Sequence, residues 1–144
     1  METGERSDIL CMPCGQQIFG IEFGFVAEIC TDMHISFVPC LPAGFLGVCN
    51  YKGTIIPVID MDPSGADAIG ALAIPVIRYG KYMFGILCRQ EPFILTAGGA
   101  PPVELPEDAR SSGVWRFKYI YEHEDRMCQV IDVKGTVEAM LSKQ

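Results

Sequence analysis

Gly47-Val48-Cys49-Asn50-Tyr51-Lys52-Gly53-Thr54-Ile55-Ile56-Pro57-Val58-Ile59-Asp60-Met61 is the stretch that decides the fold. Two β-prone runs, Phe45 to Cys49 and Thr54 to Asp60, flank Asn50-Tyr51-Lys52-Gly53, a turn sequence. Asn50 and Gly53 tolerate the positive φ angles that a tight turn demands. Pro57 cannot donate a ladder hydrogen bond, so the second run is expected at a sheet edge or at a bulge. Ile55, Ile56, Val58 and Ile59 make that run apolar on both faces. One face can fill a barrel and leave the other for a neighbouring domain.

Working outward, the same pattern repeats. Asp8 to Met12 and Gln16 to Ile21 flank Gly15 as a second hairpin, and Leu72 to Arg78 and Lys81 to Cys88 flank Tyr79-Gly80 as a third. Phe25, Val26 and Ile29 have the spacing of a short helix, and Ile35 to Val38 reads as a strand closed by Pro39. Val114 to Tyr121 alternates Arg116 and Lys118 against Trp115, Phe117 and Tyr119; Glu122 to Asp125 turns the chain and Met127 to Ile131 returns. Val133, Val137, Met140 and Leu141 then recur at helical spacing, with Asp132 placed to cap. A polar connector, Asp62 to Gly70, divides the chain near its middle, and Ala97 to Pro102 is a Gly/Pro loop. About nine strands and two helices split in this way predict two small β units in tandem that fold as one body.

The composition narrows the function. An apolar fraction of 49% is enough for a packed core. A net charge of −7 argues against nucleic acid as a partner, because phosphate contact needs a basic surface. The acidity is uneven: residues 1–70 carry only Arg6 and Lys52 as basic side chains against nine acidic ones, whereas residues 71–144 carry nine of each. Lys52 is therefore conspicuous. Met1-Glu2-Thr3-Gly4-Glu5-Arg6 lacks the basic start and apolar stretch of a secretory signal, and no apolar run is long enough to span a bilayer, so a cytoplasmic protein is expected. The seven cysteines, among them Cys30, Cys49, Cys88 and Cys128 in apolar stretches, are expected as buried reduced thiols.

Motifs for chemistry are few. Cys11-Met12-Pro13-Cys14 has the C-x-x-C form of a redox pair or half a zinc site, and a small thiol-based redox or metal-sensing protein using Cys11 and Cys14 is the alternative reading. The motif ends a strand instead of opening a helix, and no second ligand pair follows it at zinc spacing. Asp60-Met61-Asp62-Pro63-Ser64-Gly65 imitates the start of a calcium loop, but Ala71 stands where the loop needs its closing Glu. His34 and His123 fall in no catalytic motif, and there is no nucleophile elbow or phosphate loop. A non-enzymatic protein without cofactor or metal is the expectation.

The quoted segment resembles the CheW family, whose members carry Gly-Val-x-Asn-Leu-Arg-Gly-x-(Val/Ile)-x-Pro-(Val/Ile)-(Val/Ile)-Asp-Leu. Phe19-Gly20-Ile21, Val26-Ala27-Glu28-Ile29, and Pro39 with Pro42 fall in the family's order, and Tyr82 to Cys88 and Gln129-Val130-Ile131-Asp132 resemble later strands. Tyr51 stands where the family has Leu, and Lys52 where it has Arg. The resemblance implies a mainly β fold of two five-stranded barrels side by side with a groove between them. A single domain would run over 7–144, with a first barrel near 15–67, a second near 68–132 and a C-terminal helix over 133–142. It also implies a cytoplasmic adaptor in chemotaxis, coupling the tip of a methyl-accepting chemoreceptor to the regulatory domain of the histidine kinase CheA. Val26, Glu28, Gly47, Val48, Asn50, Lys52 and Gly53 are the protein-binding residues it points to, with Glu28 the expected partner of Lys52.

Overall fold

The computed structural model describes residues 8–42, 44–61, 73–96 and 102–142. The connector over 62–70 and most of the Gly/Pro loop, 97–101, lie outside the described residues, as does the segment that imitates a calcium loop beyond Met61. The strands, in chain order, are β1 (Ile9–Cys14), β2 (Gln17–Glu22), β3 (Val26–Cys30), β4 (Ser36–Phe37), β5 (Phe45–Tyr51), β6 (Thr54–Asp60), β7 (Ile74–Tyr79), β8 (Tyr82–Leu87), β9 (Phe93–Leu95), β10 (Val103–Glu104), β11 (Ser111–Ser112), β12 (Trp115–His123) and β13 (Arg126–Ile131). One α-helix, α1 (Val133–Leu141), follows. Its first turn is closed by Asp132, whose carboxylate accepts from the Gly135 amide at 3.1 Å.

The strands form two sheets. One has the order β10-β12-β13-β2-β1-β9, with β11 paired to β12; the other has the order β3-β7-β8-β6-β5-β4. Setting aside the two-residue strands β4, β10 and β11, each sheet contains five strands, as the expected architecture requires. Neither sheet closes on itself by backbone pairing among the described residues. The chain divides into two compact units, Val26–Glu91 and the combination of Met1–Phe25 with Pro92–Gln144.

This division differs from the tandem split at 67 and 68. β7 and β8 complete the sheet begun by β3 to β6, while β1 and β2 are completed by β9 to β13. Each unit is joined by one parallel pairing between strands remote in sequence: β6 with β8, with Val58 opposite Gly85, and β2 with β13, with Ile18 opposite Cys128. Local patterning does not register such pairings, because they follow from burial and not from turns. Val58 and Ile59 are both fully buried on adjacent positions of β6, so both faces of that strand are covered and its backbone groups need partners within the sheet.

Of the two places expected for Pro57, the edge is corrected by the same pairing, while the β5–β6 ladder does carry an irregularity next to it, between Phe45 and Gly47 opposite Ile59 and Val58. β6 lies between β5 and β8, and Pro57 sits one residue before the β8 ladder begins at Val58. On its other side it faces Val48, three pairs above the Lys52-Gly53 turn. Ladder alternation from that turn makes Val48 and Pro57 a non-hydrogen-bonded pair, so the missing N–H costs β5 nothing. A second correction concerns Phe25 to Ile29. Only Phe23–Phe25 forms a single 3₁₀ turn, and Val26–Cys30 is strand, paired to β7 with a bulge between Val26 and Glu28. The bulge shifts the side-chain alternation, which imitated helical spacing.

The core of the Val26–Glu91 unit is Cys49, Tyr51, Ile56, Val58, Ile74, Val76 and Leu87. That of the other unit is Ile9, Cys11, Ile18, Tyr121, Cys128 and Val130. Burying each large aliphatic is worth roughly 1.5–3 kcal/mol. Asp60, at the end of β6, is a buried exception. Arg89, just beyond β8, meets it through two parallel hydrogen bonds, Nη1 to Oδ1 at 2.9 Å and Nη2 to Oδ2 at 2.5 Å. The parallel register that sets Asp60 opposite Leu87 brings Arg89 within reach.

Gly47 is fixed by a close approach. A Cβ there would lie 2.2 Å from the Ser36 carbonyl oxygen and 3.0 Å from the Phe37 Cα, both backbone atoms. Gly47→Ala is expected to separate β4 from β5 and to lower the unfolding free energy by about 3 kcal/mol in urea titration. Arg89→Met removes the guanidinium from a buried carboxylate and is expected to cost roughly 3 kcal/mol in the same assay. Adding Asp60→Leu should recover part of that loss.

Candidate functional site

The β5–β6 turn is built from two residues with positive φ, Lys52 at 50° and Gly53 at 88°. That combination is the type I′ hairpin turn, whose twist matches that of the strands. Asn50 remains in β5 and acts through its side chain: its Oδ1 accepts from the Gly53 amide at 2.8 Å. The sequence expectation of a left-handed residue at Asn50 therefore moves to Lys52, a long side chain held in a conformation that few residues adopt. The strain is local and places the ammonium outward, with 72% of the side chain exposed.

Glu28 comes to this turn from the far side of the sheet. β3 is one edge of the six-stranded order and β5 lies next to the other. The sheet curls enough for the Tyr51 hydroxyl to donate to Glu28 Oε1 at 2.9 Å and for Lys52 Nζ to reach the same oxygen at 3.3 Å. Side chains thus tie together strands that backbone pairing leaves apart. Lys52 Nζ also lies 5.4 Å from the centroid of the Tyr51 ring, within range of its negative face.

The electrostatics agree with the geometry. The Tyr51 hydroxyl, then the Lys52 ammonium, hold the Glu28 carboxyl below its ordinary range. Glu28 in turn pushes the Tyr51 phenol and the Lys52 ammonium up. Under this clasp the thiols of Cys30 and Cys49 are pushed up by burial, so they stay protonated at neutral pH. Cys49 Sγ rests 3.9 Å from the Met33 sulfur.

The residues singled out from sequence fall into three groups. Glu28, Asn50, Lys52 and Gly53 are brought together at the turn. Val48 lies on the outer face of the hairpin: the pairs Cys49–Ile56 and Tyr51–Thr54 point inward, and Val48–Pro57 and Asn50–Ile55 point outward. Val26 is half-buried on β3, opposite Ile77. Gly47 is buried, and its close approach to β4 explains why it is glycine.

Sequence reasoning missed Tyr51 as a clasp residue, Ile55 as an exposed apolar neighbour at 62%, and Arg89 as the partner of Asp60. A Tyr two positions after a buried Cys on one strand face was a usable signal, since a buried phenol needs an acceptor. So was an Asp ending an apolar run, which needs a cation.

The structure does not bring Cys11 and Cys14 together as a pair. The two residues stand three apart on one strand and so point to opposite faces. Cys11 is fully buried, and its sulfur lies 3.7 Å from that of Cys128 instead. The hydrogen bond with Cys11, together with burial, pushes the Cys128 thiol up. None of the seven cysteines is in a disulfide, and among the described residues no three His, Cys, Asp or Glu side chains converge as a metal site. No helix among them is long and apolar enough to cross a membrane.

Two open β-sheets with an exposed charged hairpin tip define a mainly β protein. Comparisons with known proteins place it more closely. Residues 8–64 match the family described as CheW-like domain. The chemotaxis protein CheW of Treponema pallidum (strain Nichols) is 30% identical over 57 residues, covering 40% of this chain and 34% of that protein. The chain thus matches about a third of that relative's length. The crystal structure of the scaffolding protein TtCheW from Thermoanaerobacter tengcongensis superposes with a TM-score of 0.72 at 18% identity, over 90% of this chain and 86% of that one. Residues 8–64 thus resemble the CheW-like domain in sequence, and most of the chain shares the fold of that scaffolding protein.

The clasp has a defined pH window. A carboxyl held below its unfolded value stabilises the fold above that value, and the contribution is lost as pH falls through the folded one. Glu28→Gln should therefore lower Tm by a constant amount near neutral pH. The gap to wild type should close as pH drops below about 4 and the Glu28 carboxylate is protonated. At the alkaline end the raised Tyr51 and Lys52 values work oppositely, and the clasp weakens as pH rises past about 10.

Proposed function

We propose that this protein is a non-enzymatic scaffold of chemotaxis signalling, joining the regulatory domain of the histidine kinase CheA to the cytoplasmic tip of a chemoreceptor. The observation that carries this reading is the β5–β6 turn. Lys52 projects from it in a fixed direction, and the exposed Ile55 stands beside it. An apolar strip rimmed by one directed charge is the makeup of a protein-binding surface.

Val26, Glu28, Gly47, Val48, Asn50, Lys52 and Gly53 form the proposed contact region, with different duties. Val48 and Ile55 supply apolar area. Glu28 holds Lys52, Asn50 and Gly53 hold the turn, and Gly47 lets β4 lie close beneath. The scaffold makes and breaks no bond. Binding two partners at once raises the effective concentration of each for the other, so a receptor movement can bias the kinase. The cytoplasm, where both partners operate, is the proposed location.

Calorimetric titration with a CheA regulatory domain of the same organism tests this. Lys52→Glu reverses the charge at the tip while leaving the Tyr51–Glu28 hydrogen bond. It is expected to weaken binding at least tenfold, with circular dichroism unchanged. The absence of binding to any kinase regulatory domain or receptor tip of that organism would falsify the coupling role.

A further inference from the structure

The unit that carries the C-terminal helix has a cleft of about 610 Å³ between β12 and α1, lined by Arg110, Arg116, Lys118, Asp132, Glu138 and others. The three cations are in different situations. Lys118 is occupied by Glu22, Nζ to Oε1 at 2.9 Å. Arg110 and Arg116 have no carboxylate partner among the described residues and are held by backbone carbonyls instead. Arg110 Nε donates to Leu105 O at 3.0 Å, and Arg116 Nη1 donates to Gly113 O at 2.8 Å and Trp115 O at 3.0 Å. With 18 acidic side chains against 11 basic ones, carboxylates outnumber cations in this chain. Two guanidiniums nevertheless line one cleft without an ion pair to a described carboxylate, although Asp132 and Glu138 line it too.

We infer that this cleft binds an acidic peptide segment of a partner protein, with Asp or Glu side chains of the peptide on Arg110 and Arg116. A guanidinium offers a planar set of donors that matches a carboxylate. Arginines already fixed by carbonyl acceptors lose little rotamer freedom when the partner arrives. The remaining lining selects a peptide over a compact dianion. Glu138 is exposed at the cleft, and the Asp132 carboxylate caps the helix beside it. Both repel any anion held among them, a compact dianion most because its whole charge sits at one point. An extended segment can set its carboxylates on the arginines, turn an amide toward Glu138 and lay apolar atoms against Phe117 and Ala139. The inference stands apart from the hairpin-tip contact, which belongs to the other unit.

Fluorescence anisotropy of a labelled peptide of alternating Glu and Ala, titrated with the full chain, tests it. Binding should weaken steeply with salt. Arg110→Gln combined with Arg116→Gln should weaken it at least tenfold, and Arg116→Lys, which keeps the charge and loses the fork, by less. Glu138→Lys should tighten it, a gain that a damaged fold does not produce. Lys134→Gln, an exposed cation on the same helix that does not line the cleft, serves as the control. Equal affinity in the double variant, no gain from Glu138→Lys, or inorganic phosphate outcompeting the peptide would each overturn the proposal.

Discussion

β6 cannot lie at an edge. Its last four residues present Pro57, Val58, Ile59 and Asp60 in succession, and the final three are buried. A strand buried this deeply needs its backbone N–H and C=O groups paired, and β8 supplies the second ladder in parallel. Much of the Val26–Glu91 unit follows from that pairing. It fixes the register of the β7–β8 hairpin, delivers Arg89 to Asp60, and leaves β3 and β4 as the two free edges. Confining both edges to short strands, one of two residues and one with a bulge, limits unwanted edge-to-edge pairing.

The curl that brings β3 toward β5 then makes the Glu28 clasp possible. The family pattern places Leu and Arg where this chain has Tyr51 and Lys52. An Arg offers two donors in one plane; a Lys offers a point charge without that direction. Here the second donor comes from the neighbouring residue, because Tyr51 and Lys52 both reach Glu28 Oε1. The hydroxyl gives direction and the ammonium gives charge, so the pair of departures reads as one change and not two. Each half of it would be weaker alone: an exposed Lys–Glu pair is screened and contributes little, and a phenol without its acceptor would leave a polar atom against the core.

Local signals were legible in the sequence wherever a turn and an alternation sat together. Gly53, Gly80 and the Glu124-Asp125 turn all mark hairpins that formed, and Asp132 caps the helix its spacing announced. What the sequence hid was non-local. The parallel pairings of Val58 with Gly85 and of Ile18 with Cys128 join segments with no shared turn. They redistributed the strands between the units. A bulge at Val26 to Glu28 disguised a strand as a helix by breaking its period of two. At the site, the Glu28–Lys52 pairing was legible only through resemblance to a family. Composition alone marked Lys52 as isolated and gave no sign of which carboxylate would meet it.

The Lys52 turn and the Arg110–Arg116 cleft differ in how their charge is held, and that difference bears on what each can do. Lys52 is partly neutralised by Glu28 and stands on a strained turn, so in the proposed contact it would contribute direction and selectivity more than net charge. Arg110 and Arg116 are held by carbonyl dipoles, which orient a guanidinium without cancelling its charge. A side chain held in that way keeps its full attraction for an anion. In a protein of net charge −7, long-range repulsion would slow the approach of an acidic segment from most directions. Attraction appears only within about a Debye length of the cleft. Such a contact is therefore expected to be short-ranged and reversible.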